Sequence, residues 1–164
     1  KTASTDADMG SWTYVPNPLG EVGSQTDANG KTITIAYDAL GRVTSKSEPA
    51  PGGGTIQDVW QWGTSAAAKN IGQLEWTRKL LNGVVTYQEA FYYDTVARPI
   101  QVQYYDGATS HAVDYGYDAS TGRLDTTTYP VSTSGYRHKV KHDRTREHGA
   151  LANPGGRPRR INAA

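Results

Sequence analysis

The fold is decided by a seven-residue stretch, Tyr37-Asp38-Ala39-Leu40-Gly41-Arg42-Val43. A copy at residues 93–99 reads Tyr-Asp-Thr-Val-Ala-Arg-Pro, with alanine in place of the glycine, and a copy at residues 117–124 has one inserted residue. Weaker copies stand at residues 17–22 and 72–74, and an eroded sixth copy begins at His142-Asp143. Self-similarity at a spacing of roughly 20 to 50 residues is typical of repeat architectures. The sequence therefore predicts a chain built from one repeated unit.

A second kind of turn signal lies between successive copies of this unit. Glycine, joined by Asp, Asn, Pro or Ser, marks these turns at residues 27–30, 51–54, 82–83, 106–107 and 134–135. Between turns, residues 32–37 alternate as Thr-Ile-Thr-Ile-Ala-Tyr, a period of two that places the isoleucines on one face of a strand. We therefore expect an all-β fold of successive antiparallel β-hairpins, with less than about 10% helix.

Each residue type in the repeat has a structural role at the end of a hairpin. The tyrosine ends the incoming strand, and the aspartate can accept hydrogen bonds from backbone N–H groups just ahead of it. The glycine supplies a left-handed backbone position, and the arginine can pair with the aspartate or lie over a nearby ring. The predicted structural residues are Tyr37, Asp38, Gly41, Arg42, Tyr93, Asp94, Arg98, Tyr117, Asp118, Gly122 and Arg123. Because the aspartates recur at one place in each copy, a shared turn role explains them better than catalysis does.

The unit at residues 37–43, with the Asp-Ala-Asn-Gly turn at residues 27–30 before it, resembles the YD-repeat, or RHS-repeat, family. The resemblance covers roughly residues 12–136. It implies that successive hairpins form part of a spiral β-sheet shell, as in large bacterial toxin-complex and RHS proteins and in the related teneurins. It also implies a structural, non-enzymatic role in enclosing or carrying a C-terminal toxin domain, in a secreted or cell-surface setting. The partners implied are the remainder of a larger shell and the enclosed toxin domain.

The composition divides the chain into three parts. Residues 1–11 form a lead-in, residues 12–136 form a repeat region of about five units, and residues 137–164 form a basic tail without aromatic residues. The tail carries eight basic and two acidic side chains, so we expect it to be poorly ordered or atypical. The chain does not begin with Met, which suggests a fragment of a longer protein. The Asp-Pro-x-Gly sequence that ends the shell in many family members is absent.

Composition also excludes several classes of protein and site. The chain of 164 residues has no cysteine, which excludes disulfides, thiolate metal sites and a cysteine nucleophile. It has no apolar run of the roughly 20 residues that span a bilayer. The tail histidines lack the spacing and partners of a zinc motif, so we expect no metal site, no cofactor and no catalytic residue. The basic tail can bind phosphates only without sequence specificity, so we expect no specific nucleic-acid partner.

An alternative function depends on the aromatic side chains. Exposed Trp and Tyr rings can stack on sugars, and such a surface would make the chain a binding module for glycans or cell-surface proteins. The candidate contacts are Trp60, Trp62, Trp76 and Tyr92. The sequence leaves this alternative open beside the structural role.

Overall fold

The computed structural model describes residues 2–142, and these residues form one open, antiparallel β-sheet. The twelve strands lie side by side in chain order, each paired with the strand before and after it. Their bounds are β1 (Ala3–Asp6), β2 (Gly10–Pro16), β3 (Val22–Thr26), β4 (Thr32–Tyr37), β5 (Val43–Pro49), β6 (Thr55–Trp62), β7 (Leu74–Leu81), β8 (Val84–Tyr93), β9 (Pro99–Asp106), β10 (Thr109–Tyr117), β11 (Leu124–Val131) and β12 (Arg137–Lys141). The prediction of an all-β fold of antiparallel hairpins is confirmed.

The predicted turns lie where the strands reverse. Glycines of both turn signals have positive φ, for example Gly41 at 75° and Gly30 at 77°. Ala97, the alanine that replaces the repeat glycine, adopts the same left-handed region with φ of 61°. The left-handed turn geometry is therefore kept at Ala97, although a side chain with a Cβ atom makes that backbone conformation less favourable than glycine does.

The sheet has two chemically different faces. Residues paired across antiparallel strands lie on the same face, so the register Phe91 to Val102 to Val113 places these apolar side chains together. We call this side the aromatic face; it also carries Ile35, Val43, Trp60, Trp62 and Tyr115. The opposite side, the polar face, is dominated by Thr34, Ser45, Ser47, Gln57, Gln101, Gln103, Thr126 and Thr128.

Burial is slight because the described residues form a single layer. Val102, which is 7% exposed, is the one buried hydrophobic residue among residues 2–142, and Asn70 and Thr127 are the buried polar residues. Without a second layer, the sheet depends on backbone ladders, cross-strand pairs and contacts at the strand ends.

Register shifts recur at the repeat turns. A bulge lies next to the turn in each of the hairpins β2–β3, β4–β5, β6–β7, β8–β9 and β10–β11, for example between Ala36 and Tyr37. Bulges bend a strand and increase its twist. The repeat therefore builds a local bend into one end of every second hairpin.

The predicted tail needs one correction. Arg137–Lys141 form strand β12, in which Val140 pairs with Thr127 of β11, so the expectation of poor order is wrong for these residues. The reason is alternation: Val140 lies half-buried while its basic neighbours are exposed, which suits an edge strand. Residues 143–164, the rest of the predicted tail, lie outside the described residues. Within residues 2–142, no helix is long and apolar enough to cross a membrane.

Candidate functional site

The repeat turn at Asp38 is held by its aspartate and arginine together. Asp38 Oδ1 accepts hydrogen bonds from the backbone N–H groups of Leu40 at 2.9 Å and Arg42 at 3.0 Å. Asp38 Oδ2 accepts from Arg42 Nε and Nη2, both at 2.7 Å. The Arg42 side chain, followed by these backbone donors, lowers the pKa of the Asp38 carboxyl below its ordinary value. The carboxylate is thus fully engaged in the turn.

The turn at Asp94 repeats this arrangement. Asp94 Oδ1 accepts from the N–H groups of Val96 and Arg98, each at 2.9 Å, and Oδ2 accepts from Arg98 Nε at 2.8 Å. The backbone N–H of Arg98, followed by its side chain, lowers the pKa of Asp94. The predicted pairs Asp38–Arg42 and Asp94–Arg98 are therefore brought together in the structure.

The turn at Asp118 uses different donors because it contains one more residue. Asp118 Oδ1 accepts from the N–H and hydroxyl groups of Ser120, at 3.1 and 2.7 Å, and from those of Thr121, at 2.7 and 2.8 Å. These bonds, the two hydroxyls foremost, lower the pKa of Asp118 from 3.8 to about 2. Asp118 and Arg123 line one cavity of about 260 Å³ with Lys141 and His142, but they form no ion pair with each other.

At the turns that begin at Asp38, Gly63, Asp94 and Asp118, the aromatic residue before the turn ties its strand to the preceding strand. In four hairpins, the last ring of the second strand donates a hydrogen bond to the first carbonyl of the strand before it. We call this the closing bond. Its donor and acceptor atoms are Tyr37 Oη to Val22 O at 3.1 Å, Trp62 Nε1 to Val43 O at 2.9 Å, Tyr93 Oη to Leu74 O at 2.6 Å, and Tyr117 Oη to Pro99 O at 2.7 Å.

Sequence reasoning missed the closing bond and assigned Trp62 only to glycan contact. The signal that could have found it is spacing, since Trp62 follows Tyr37 at about the distance that separates the later tyrosines. Because closing bonds alternate with repeat turns, every strand end from β3 to β10 on this edge is tied to its neighbour.

The repeat arginines extend this chain of contacts to the next unit. The Arg42 guanidinium lies 4.7 Å from the centroid of the Trp62 ring, and Arg98 lies 4.3 Å from that of Tyr117. Arg98 Nη1 also donates to the carbonyl of Gly122, the glycine of the following copy, at 2.9 Å. Each arginine therefore closes its own turn and covers the aromatic ring of the next unit.

The four candidate glycan contacts do not form one surface. Trp60 and Trp62 line the aromatic face, whereas Trp76 and Tyr92 lie on the polar face with their register partners Ala90 and Gln101. Arg78 covers Trp76 at 4.1 Å from the ring centroid. Trp76 and Tyr92 do line one cavity of about 210 Å³, together with Asn70 and Glu75.

The remaining titratable side chains of the described residues do not form a metal site. Within residues 2–142, no cluster of three His, Cys, Asp or Glu side chains has the geometry of a metal site. His138 lies beside Tyr129 and Tyr136, and His142 Nε2 is 2.9 Å from Thr127 Oγ1. Burial, followed by a hydrogen bond to Glu89, raises the pKa of Tyr87 to about 12. That tyrosine therefore stays a neutral hydrogen-bond donor at physiological pH.

Comparisons with known proteins agree with this geometry. Residues 17–55 match the family model of the RHS repeat. A crystal structure of TcdB2-TccC3-TEV matches with a TM-score of 0.54 and 19% identity, over 73% of this chain and 5% of that one. A crystal structure of TcdB2-TccC3-Cdc42 matches with a TM-score of 0.41 and 16% identity, over 76% of this chain and 7% of that one.

No curated protein matches the chain. The chain spans about one-twentieth of the length of the first of these structures, and the similarity at this level of identity concerns the fold. Residues 17–55 therefore match the RHS repeat, and the described sheet shares its fold with part of the TcdB2-TccC3-TEV structure.

Proposed function

We propose that this chain is a structural, non-enzymatic segment of an RHS-repeat shell that encloses or carries a toxin domain C-terminal to it. Its partners would be the remainder of that shell and the enclosed domain, in a secreted or cell-surface setting. The observation that carries the proposal is the set of contacts made by the repeat residues. Their carboxylate, guanidinium and aromatic groups close the turns and join one strand to the next.

The geometry of the sheet supports this role. Within residues 2–142 the sheet is open at β1 and β12, and such a sheet can be continued by further hairpins of the same kind. Bulges at one end of every second hairpin give the curvature that a closed wall needs. The repeated unit thus contains both the connection and the bend from which a shell can be assembled.

Limited proteolysis of the parent protein tests the proposal. The domain encoded after the repeats should resist protease in the intact protein and be cut rapidly when expressed alone. Removing the three tyrosine closing bonds together, with Tyr37→Phe, Tyr93→Phe and Tyr117→Phe, should increase its cleavage. Tyr92→Phe is the matched control, since Tyr92 makes no closing bond. A downstream domain cut equally fast in the intact protein and alone would refute enclosure.

A second candidate function, glycan binding, is favoured by the cavity that Trp76 and Tyr92 share with Asn70 and Glu75. Two rings beside the Glu75 carboxylate provide both stacking surface and a hydrogen-bond acceptor for hydroxyl groups. A glycan array tests it directly. Saturable binding would support this function if it is lost in Tyr92→Ala and kept in Tyr129→Ala, which changes another exposed tyrosine. Absence of binding to every glycan on the array would exclude it.

A further inference from the structure

The aromatic face carries a groove that the repeat contacts leave open. Its volume is about 500 Å³, within the range of roughly 300 to 1,000 Å³ typical of small-molecule sites. The groove is lined by Ile35, Val43, Lys46, Trp60, Trp62 and Leu74. Five of these six side chains are apolar, so sugar hydroxyls placed there would lose water without gaining partners. The lining therefore favours a hydrocarbon group.

The walls of the groove are held in place by the repeat. The Trp62 ring is fixed by its closing bond to Val43 O at 2.9 Å and by the Arg42 guanidinium over it. Leu74 is the register partner of Trp62 on the neighbouring strand. Because strand ends and rings are fixed before any ligand arrives, little ordering is needed on binding.

Lys46 gives this apolar groove a positive charge. Its nearest carboxylates by register are Glu48, two residues along the same strand, and Asp58, directly opposite on β6. Each is already paired with another lysine, since Glu48 lies 3.1 Å from Lys31 and Asp58 lies 3.7 Å from Lys79. Lys46 forms no ion pair with any residue that the structure describes. After the hydrogen bond from Lys31, the Lys46 charge helps to lower the pKa of Glu48, but no carboxylate of the described residues lies at ion-pair distance from Lys46, so an anion from outside can pair with it.

We propose that this groove binds an anionic amphiphile with a medium-length alkyl chain. The chain would lie between Trp60, Trp62 and Leu74, and the carboxylate would pair with Lys46 Nζ. The proposal does not depend on the shell function, because it requires only the groove and its lysine.

Calorimetric titration of the full chain with octanoate and with 1-octanol tests the charge requirement. Octanoate should bind at one saturable site, about tenfold more tightly than 1-octanol, as expected for one charge-assisted contact. Lys46→Gln should remove this tenfold preference while leaving 1-octanol unaffected. The control is Lys139→Gln, which removes an exposed lysine on β12, away from the groove, and should leave octanoate affinity unchanged.

Aromatic substitutions test the location of the alkyl chain. Trp60→Ala should abolish binding of both ligands, and Trp76→Ala, on the opposite face, should preserve it. Circular dichroism checks that each variant folds. If Trp60→Ala does not fold, the Lys46→Gln result decides the proposal. Non-saturable binding, equal affinity for both ligands, or equal loss in Lys46→Gln and Lys139→Gln would overturn it. Displacement of octanoate by a malto-oligosaccharide would also overturn it. So would a dimer in sedimentation that becomes monomeric in Trp60→Ala.

Discussion

The turns at Asp38 and at Gly63 reach the same backbone geometry with different residues. In the first, Asp38 N donates to Arg42 O at 2.9 Å and Gly41 N donates to Asp38 O at 3.0 Å. In the second, Gly63 N donates to Gln73 O at 2.8 Å and Gly72 N donates to Gly63 O at 2.9 Å. Gly63 therefore occupies the aspartate position of a repeat turn, although the loop after it is longer and its aspartate is missing.

The longer loop supplies its own substitute for the carboxylate. In the Asp38 turn, the N–H of Arg42 donates to the aspartate side chain, whereas the N–H of Gln73 donates to the backbone carbonyl of Asn70 at 2.9 Å. A Cβ atom at Gly63 would lie only 2.3 Å from Asn70 Cγ and 2.4 Å from its carbonyl oxygen. Asn70, which is 3% exposed, fills the space of the missing carboxylate. The backbone turn is thus the constant feature, and the acceptor that completes it is replaceable.

The largest loss of stability is expected when the missing aspartate is restored at position 63. Gly63→Asp restores the aspartate that follows the aromatic residue in the repeat, yet it should destabilise the sheet by about 1 to 3 kcal/mol because Asn70 already occupies the space. Urea denaturation measures the change, and Thr64→Asp at the next, exposed position is the control. A midpoint equal to or above that of the parent would show that Asn70 is not a substitute for the aspartate.

Loss of one closing bond should lower stability by a smaller amount. Such bonds lie beside both the Asp38 turn and the Gly63 turn. Tyr93→Phe removes the bond to Leu74 O, at 2.6 Å, and should cost about 1 kcal/mol. Tyr92→Phe removes only an exposed contact with Gln103 at 3.2 Å, so it should cost less. Thermal melts of both variants give the comparison. Equal losses would mean that the closing bond contributes nothing beyond an ordinary surface contact.

The smallest expected effect is a pH dependence of the Asp118 turn. The folded-state pKa of Asp118 is about 2, below its ordinary value of 3.8, so the unfolded chain binds the proton more readily. Its contribution to stability is present above about pH 4 and should be lost as the pH falls through about 2. Denaturant midpoints measured across this window should fall less steeply in Asp118→Asn than in the parent. Parallel profiles would contradict the assignment.

The hairpin arrangement could be predicted because its signals are local. Glycine at left-handed positions and strict alternation in residues 32–37 fix turns and strands without reference to distant residues. The aspartate role could be predicted for the same reason, since the N–H groups that donate to it lie within four residues of it.

The remaining features depend on contacts distant in sequence. Trp62 reaches Val43 across 19 residues, and Asn70 replaces a carboxylate through a loop whose path the sequence does not reveal. Likewise, β12 could not be foreseen from its charge, because pairing with β11 decides its structure. Tertiary pairing overrides composition at these places.

The central claim is that the repeat residues are architectural, and denaturant melts of Asp38→Ala, Asp38→Asn and Gly41→Val beside the parent test it most directly. Gly41→Val should cost more than about 1 kcal/mol, because a β-branched residue is strained at a φ of 75°. Asp38→Ala should lower the midpoint less than that, and Asp38→Asn less again, since its amide oxygen still accepts from Leu40 and Arg42. Equal midpoints for all four proteins would contradict the account.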